Sequence, residues 1–170
     1  MIELVIVVAI ISTLAAIAGI SGKTWLNKYR VEGQTKQMYA DLMNARVRAM
    51  TKNRKCFATP TATQYTIYED TNPGPDGDGV LQTASDTKVL QTNLNSSYAV
   101  TMTTDHAAAD TIIFDPKGMM SWSLGGVSVS AVTEQWIHVT ASYGSAYDCI
   151  DITATRIIMG AWNGTSCNVQ

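Results

Sequence analysis

A single carboxylate stands near the start of a long apolar run. Glu3 precedes an apolar segment that extends from Leu4 to Ile20 and is interrupted only by Ser12, Thr13 and Gly19. A carboxylate at membrane depth is costly unless a cationic group pairs with it. We therefore expect Glu3 to form an ion pair with a partner in an apolar setting.

A second group of chemically active side chains lies in one loop. Three carboxylates and one carboxamide occur in residues 70–79, among glycines and prolines: Asp70, Asn72, Asp76 and Asp78. Calcium accepts such ligands, but the spacing differs from that of an EF-hand loop and no bidentate Glu follows. Because Asp, Asn, Gly and Pro are also the ordinary residues of turns, a bare turn is the preferred interpretation and a calcium site is the alternative. No other cofactor is expected.

The three cysteines lack the spacing of a metal site. Cys56, Cys149 and Cys167 contain no CxxC pair, and an exported domain meets oxidising conditions, so a disulfide is the better interpretation. Among the three possible pairings we expect Cys149–Cys167, which closes a short loop around the last hairpin. Cys56 would then be a buried thiol at the end of the preceding helix.

The remaining side chains do not indicate catalysis. The sequence has no nucleophile motif, no Walker loop and no paired-histidine metal signature. Of the two histidines, His106 and His138, the second lies between apolar neighbours in a predicted strand and is expected to be structural. We expect a protein that is not an enzyme.

The elements that carry these residues begin with a long helix. The apolar segment has about the 20 residues that a bilayer-spanning helix needs, and the glycines Gly19 and Gly22 are expected to loosen the helix behind it. From residue 25 to residue 50 the helical pattern resumes, with an apolar stripe of Met38, Leu42, Ala45 and Ala49 and with a second apolar row beside it. The aromatic residues of this part, such as Trp25, Tyr29 and Tyr39, are expected to serve packing.

The pattern changes to antiparallel β-structure from Cys56 onward. Short β-branched and aromatic runs alternate with turn residues. Strands are predicted near Gln64–Glu69, Lys88–Gln91, Tyr98–Thr103, Thr111–Asp115, Met119–Ser123, Gln135–Ser142, Cys149–Thr153 and Arg156–Gly160. Alternation in the first and sixth of these predicts one buried and one less buried face. The predicted fold is α+β, a lollipop in which a long N-terminal helix, apolar in its first half and amphipathic in its second, packs on a β-rich head. The predicted parts are the apolar helix (1–22), its amphipathic continuation (23–55) and the head (56–170).

Charge is distributed unevenly between these parts. Residues 1–55 carry nine basic and three acidic side chains, a net +6, whereas residues 56–170 carry three basic and eleven acidic ones, a net −8. An acidic head argues against DNA as a partner, because nucleic-acid binding requires a basic patch that neutralises phosphates. A basic helix could instead face the acidic head of another subunit.

The segment MIELVIVVAIISTLAAIAG resembles the mature N-terminus of type IV pilins and type II secretion pseudopilins. In that family the mature chain usually begins Phe-Thr-Leu-Ile-Glu-Leu after a prepilin peptidase removes a leader. Ile2-Glu3-Leu4 matches the end of this motif, and Met1 stands where Leu is usual, so residues of the mature chain are expected before Met1. The proline that often kinks the family's helix near position 20 is absent, and the two glycines are expected to take over its role.

Four later blocks resemble the H-type pseudopilin and minor-pilin subgroup. They are DLMNARVRAMTKNRK, QYTIYEDTNPGPDGDG, TIIFDPKGMMS and CIDITATRIIMG, in the order typical of that group. The resemblance implies a pilin-like fold and polymerisation into a helical filament with other copies or other pilins. It also implies a stay in the inner membrane, an assembly platform, a methylated N-terminus, and pairing of Glu3 with the N-terminal amine of a neighbouring subunit.

Two functions remain open at this stage, and a third is less favoured. A structural subunit of an extracellular type IV pilus is preferred, because a head rich in Thr, Ser and Ala with few charges could coat a long filament. A pseudopilin of a periplasmic secretion filament is the alternative. A DNA-binding minor pilin is the least favoured.

Overall fold

The computed structural model describes residues 2–74, 77–104, 110–125, 127–129, 133–141 and 143–169; the side chains of residues 15–22, 104 and 127 are not among those described. Helix α1 occupies Ile2–Lys52 and is followed by eleven strands in the described part of the chain. The architecture is α+β, with a long N-terminal helix and two antiparallel sheets, as predicted and as in pilin-like folds.

The C-terminus of α1 has a left-handed cap. Asn53 has a φ of 53°, a conformation that Asn tolerates better than most residues. The Arg54 amide then donates to the Ala49 carbonyl at 3.2 Å, the long-range bond of a Schellman motif. This cap ends the helix four residues before the sheet begins and turns the chain back onto it.

One stripe of α1 packs on the head. Its buried members recur every three or four residues, the spacing of one helix face: Val31, Thr35, Met38, Leu42, Ala45 and Ala49. The predicted stripe is therefore confirmed and begins further upstream, at Val31. No described side chain of α1 before Val31 is buried.

The strands form two sheets rather than one. The first has six strands in the order β3-β2-β1-β5-β6-β7, at Thr87–Asn93, Gln64–Glu69, Cys56–Pro60, Thr111–Phe114, Met120–Leu124 and Val127–Ser128. The second has five in the order β11-β10-β9-β8-β4, at Cys167–Val169, Ile157–Trp162, Cys149–Thr153, Glu134–Val139 and Val100–Thr104. Every pairing is antiparallel. A 3₁₀ turn at Ser96–Tyr98 leads the chain from the first sheet to the second.

All eight predicted strands are present with small shifts at their ends. The bounds of β2 and β9 are those predicted, and the segment predicted to start at Tyr98 begins instead as the 3₁₀ turn. Ser142, the predicted end of the sixth strand, lies outside the described residues. Three short strands were missed, namely β1, β7 and β11.

The main core lies between α1 and the inner faces of both sheets. It contains the helix stripe together with side chains from each sheet, including Ile112, Phe114, Trp122, Ile137 and Ile152. A smaller cluster lies on the outer face of the first sheet, where Phe57, Tyr68 and Ile113 are covered by Leu81.

This outer cluster corrects one prediction about β2. We expected one of its faces to be less buried, but Thr66 is 5% exposed and Tyr68 is 8% exposed. The reason is that the loop after β2 folds back and places Leu81 over the sheet. The corresponding prediction for β8 is confirmed, since Ile137 and Val139 are buried while Trp136 and His138 are only half-buried.

Candidate assembly surface

The first part of α1 exposes a continuous apolar surface. We call residues 2–30 the stem. Its large apolar side chains up to Leu14 are between 53% and 76% exposed: Ile2, Leu4, Val5, Ile6, Val7, Val8, Ile10, Ile11 and Leu14. An exposed apolar surface of this extent marks a site of contact with protein or membrane.

The two hydroxyl groups in this surface are satisfied by the helix itself. Ser12 donates to the Val8 carbonyl at 2.7 Å, and Thr13 donates to the Ile10 carbonyl at 2.8 Å. These bonds within the helix leave its apolar character intact, because neither hydroxyl requires water or an outside partner.

Glu3 lies in the first turn of α1 and is exposed among these apolar side chains. Within the described part of the chain, no ion pair involves Glu3. A carboxylate near a helix N-terminus is favoured by the helix dipole. Its position leaves it available to a cationic group from outside the chain.

Two further features of the stem bear on the sequence predictions. The helix continues through Gly19 and Gly22 without interruption, so their loosening role stays a prediction. Over the residues that the structure describes, no helix contains a stretch long and apolar enough to cross a membrane.

Polar contacts join the end of the stem to the head. The Tyr98 hydroxyl donates to Asn27 Oδ1 at 2.8 Å, and the Ala146 amide donates to Glu32 Oε1 at 3.0 Å. Two residues after Glu32, Gln34 Nε2 donates to the Tyr98 carbonyl at 2.7 Å. These bonds fix the direction in which the stem leaves the head.

The other end of the helix is held by a buried carboxylate. Glu69, at the end of β2, accepts bonds from Arg48 at 2.6 Å and from Arg54 at 3.1 Å. Burial raises the pKa of Glu69, but the bonds and charges of the two guanidinium groups outweigh it, so the pKa lies below its ordinary value. Sequence reasoning missed this cluster, although a helix end rich in arginine was a signal that an acidic partner lies nearby.

Charged side chains that line a groove beside the helix are bound to other side chains of the protein. A groove of about 320 Å³ lies between α1 and the edge strand β3 and is lined by Asp41, Asn44, Ala45, Arg48, Ile67, Val89 and Leu90. The Tyr65 hydroxyl donates to Asp41, and Arg48 is bound to Glu69. The charges that line the groove therefore serve the contact between helix and head.

In the acidic loop, residues 70–79, the side chains form hydrogen bonds that stabilise the conformation of the loop. Asp70 is buried and accepts the Gly79 amide at 2.7 Å, while Asp78 accepts the Val80 amide at 2.9 Å. Asn72 donates to the Gln82 side chain. These are the bonds expected of a turn.

Three of the four predicted calcium ligands, Asp70, Asn72 and Asp78, lie in the described part of the chain. Asp76 lies outside the described residues. The remaining described residues contain no group of three or more His, Cys, Asp or Glu side chains arranged to hold a metal ion. Burial, followed by the charges of Asp86 and Asp78, raises the pKa of Asp70.

The cysteines and the described histidine have structural positions. Cys149 and Cys167 are joined by a disulfide whose Cα atoms are 5.9 Å apart. Cys56 is a buried free thiol, and burial, with the charge of Glu69, raises its pKa to about 12. His138 stacks on Trp162 with the ring centres 4.0 Å apart, and burial lowers its pKa. His106 lies outside the described residues.

The family model of the type II transport protein GspH matches residues 34–154, well over half of the chain. The chain belongs to the GspH family. No curated protein and no solved structure matches it significantly. The match begins within the helix stripe and covers both sheets up to the end of β9, so this GspH family member carries the family's signature in its head and in the helix that the head holds.

Membership of the GspH family reverses the preference between the two functions that the sequence left open. A type II transport family supports a subunit of the secretion filament over the extracellular pilus that the composition of the head favoured. The composition was a weak guide because Thr and Ser on a sheet surface are compatible with either environment.

Proposed function

We propose that this GspH family member is a pseudopilin: a structural, non-enzymatic subunit of the periplasmic filament of a type II secretion system. Before assembly its stem lies in the inner membrane, and in the filament the stems of several subunits pack together. The observation that carries this proposal is the exposed apolar surface of the stem, on a chain whose head and amphipathic helix match a type II transport family.

The energetics of the stem favour such burial. Removing one side chain of the size of Val, Leu or Ile from water stabilises by about 1.5–3 kcal/mol. Nine such side chains are exposed between Ile2 and Leu14, so complete burial would contribute on the order of 10 kcal/mol or more before the entropic costs of association. A membrane and a bundle of stems can each supply the apolar surroundings.

Glu3 makes the membrane and the bundle of stems differ in free energy for the stem. An unpaired carboxylate is costly in an apolar medium, whereas a carboxylate that pairs with a cation there is tolerated. The N-terminal amine of a neighbouring subunit is the partner that the family resemblance implies. In this proposal the subunit resides in the membrane before assembly. The ion pair then lowers the free energy of Glu3 in the filament below its value in the membrane.

The same proposal assigns the partners of the chain. In the filament they are other pseudopilins or further copies of this chain. Before assembly they are the inner membrane, the assembly platform and the peptidase that processes the precursor. DNA is not proposed, because the head carries a net charge of −8.

Deletion of the gene tests the proposal against the pilus alternative. We expect the deletion strain to lose export of its type II secreted proteins while its surface pili stay intact, and a plasmid with the wild-type gene to restore export. A strain that exports normally but loses its surface pili would contradict the proposal and support the extracellular pilus instead.

A further inference from the structure

An exposed aromatic pair follows the apolar segment of the stem. The rings of Trp25 and Tyr29 stack with their centres 5.9 Å apart, and the two side chains are 64% and 68% exposed. Leu26 between them is 48% exposed. Trp25 and Tyr29 are therefore largely in solvent in the single chain, and their expected role in packing stays a prediction.

The head holds the opposite side of this part of the helix. Asn27, which lies about 200° around the helix axis from Trp25 at 100° per residue, accepts the hydroxyl of Tyr98. The Ser145 hydroxyl lies within 3.4 Å of the Lys28 carbonyl. Because the head is bound to one side of the helix, the aromatic pair is left on the other side, where another surface can reach it.

The axial position of the pair matches one boundary of a bilayer. At 1.5 Å per residue, the helix from Ile2 to Gly22 is about 30 Å long, which is the thickness of the hydrocarbon core. Trp25 then lies about 4.5 Å beyond that core and Tyr29 about 10 Å beyond it. The headgroup layer on each side of the core is about 5–8 Å thick, so Trp25 lies within it and Tyr29 lies just beyond its outer edge.

Basic side chains flank the pair. Lys23 precedes the pair and Arg30 follows it in the chain, and both are exposed. Within the described residues neither forms an ion pair. Trp and Tyr concentrate at membrane–water interfaces, where an amphipathic ring contacts both lipid and water. Lysine and arginine at that depth bind anionic headgroups.

We propose that Lys23, Trp25, Tyr29 and Arg30 form an interfacial collar that binds the headgroup layer of an anionic membrane on the side of the head. The collar sets the depth at which the stem is held before assembly. This inference rests on the proposed function, since it requires the stem to enter a membrane.

The test measures the depth of Trp25 in vesicles of phosphatidylethanolamine and phosphatidylglycerol. The full chain is reconstituted into vesicles whose acyl chains are brominated either close to the headgroup or close to the terminal methyl. The emission of Trp25 is the difference between the wild type and the Trp25→Phe variant. We expect the shallow bromine to remove about half or more of this emission and the deep bromine to leave most of it.

A matched control uses a tryptophan of the head. The difference between the wild type and Trp162→Phe should be insensitive to both brominated lipids, because Trp162 stacks on His138 within the head. Replacing Lys23 and Arg30 by Gln should reduce shallow quenching in these vesicles but have no effect in vesicles of phosphatidylcholine alone, where the anionic headgroups are absent.

Sedimentation with the vesicles separates the two ways in which the inference can fail. If the chain sediments with the vesicles but Trp25 is unquenched, or is quenched most by the deep bromine, the collar is refuted while membrane insertion stands. If the emission of Trp25 follows the density of protein in the vesicle rather than the position of bromine, the pair contacts a second copy and the collar is again refuted. A chain that does not sediment refutes the collar and the membrane step of the proposed function together.

Discussion

Replacing Glu69 by Gln tests how the head holds the end of the helix. Glu69 is 4% exposed and accepts bonds from two guanidinium groups, those of Arg48 and Arg54. The substitution keeps the size of the side chain but removes its charge. Both arginines then lose the anionic partner that holds the last turn of α1 against β2.

The magnitude follows from the geometry of the cluster. A hydrogen bond to a charged group contributes about 1.5–3 kcal/mol, but the Arg48 side chain is 38% exposed, so solvent screens its share. We expect a total loss of about 2 kcal/mol in the free energy of unfolding at pH 7. For a chain of this size that lowers Tm by about 4–8 °C.

The sign of the pH dependence is fixed by the lowered pKa of Glu69. A carboxyl group whose pKa is lower in the folded state stabilises the protein above its unfolded-state pKa, and this contribution is lost as the pH falls through the folded-state value. The gap in Tm between the wild type and Glu69→Gln should therefore be widest near pH 7. It should shrink below about pH 4.5, the ordinary value for Glu, and close when the group is protonated in both states.

Thermal unfolding of the full chain in detergent, followed by circular dichroism from pH 7 to pH 3, measures this gap. Glu134→Gln is the matched control, because Glu134 is exposed on β8 and its replacement should change stability by no more than about 0.5 kcal/mol. Equal stability of Glu69→Gln and the wild type at pH 7 would refute the reasoning. A gap that persists unchanged at pH 3 would show that packing, not charge, holds the helix end.

Four further variants, one of them a control, test other parts of the structure by the same unfolding measurement. The double variant Cys149→Ser, Cys167→Ser should lose about 3 kcal/mol, since it opens a crosslink between cysteines 18 residues apart; added reductant should lower the Tm of the wild type and leave the variant unchanged. Leu42→Ala should cost about 2–5 kcal/mol because the side chain is 2% exposed, whereas Val47→Ala, at a position 47% exposed on the same helix, should cost less than about 1 kcal/mol. Gly77→Ala should destabilise by about 1–3 kcal/mol, because φ is +77° and the new Cβ would meet the carboxylate of the buried aspartate of that loop; a neutral result would contradict the packing of the loop.

The parts of the fold that the sequence predicted depend on local patterns. The helix stripe through Met38 and Leu42 is visible because its spacing alone determines which side chains share a face. The bounds of β2 are visible because Gln64 follows a polar turn and Asp70 opens a loop. In both cases the residues next to one another in the chain are sufficient for the prediction.

The parts that the sequence did not predict depend on contacts between distant segments. Strand β1 has no alternation, because Cys56 and Ala58 face the helix while Phe57 is buried on the other side under Leu81. No local pattern shows that the outer face is covered, since the covering loop lies more than ten residues downstream. The division into two sheets was missed for the same reason.

The residues of the candidate site also differ in whether local sequence or distant contacts reveal them. Glu3 attracts attention from composition alone, because a charge in an apolar run has no structural use within the run. The cluster around Glu69 does not, because a Glu at the end of a strand is ordinary until the pairing of β1 with β2 places it beside Arg48 and Arg54. The exposure of Trp25 likewise depends on which side of the helix the head occupies.

The proposed function is tested most directly by measuring whether Glu3 is required for entry into the filament. Wild-type and Glu3→Gln chains are produced from the same promoter in the gene-deletion strain, and pseudopili released from spheroplasts and purified are analysed by quantitative mass spectrometry. The proposed function predicts that the wild type is recovered in the filaments, while Glu3→Gln is present at normal levels in the inner membrane and is strongly depleted from the filaments. Filaments that contain Glu3→Gln at the wild-type level would contradict it.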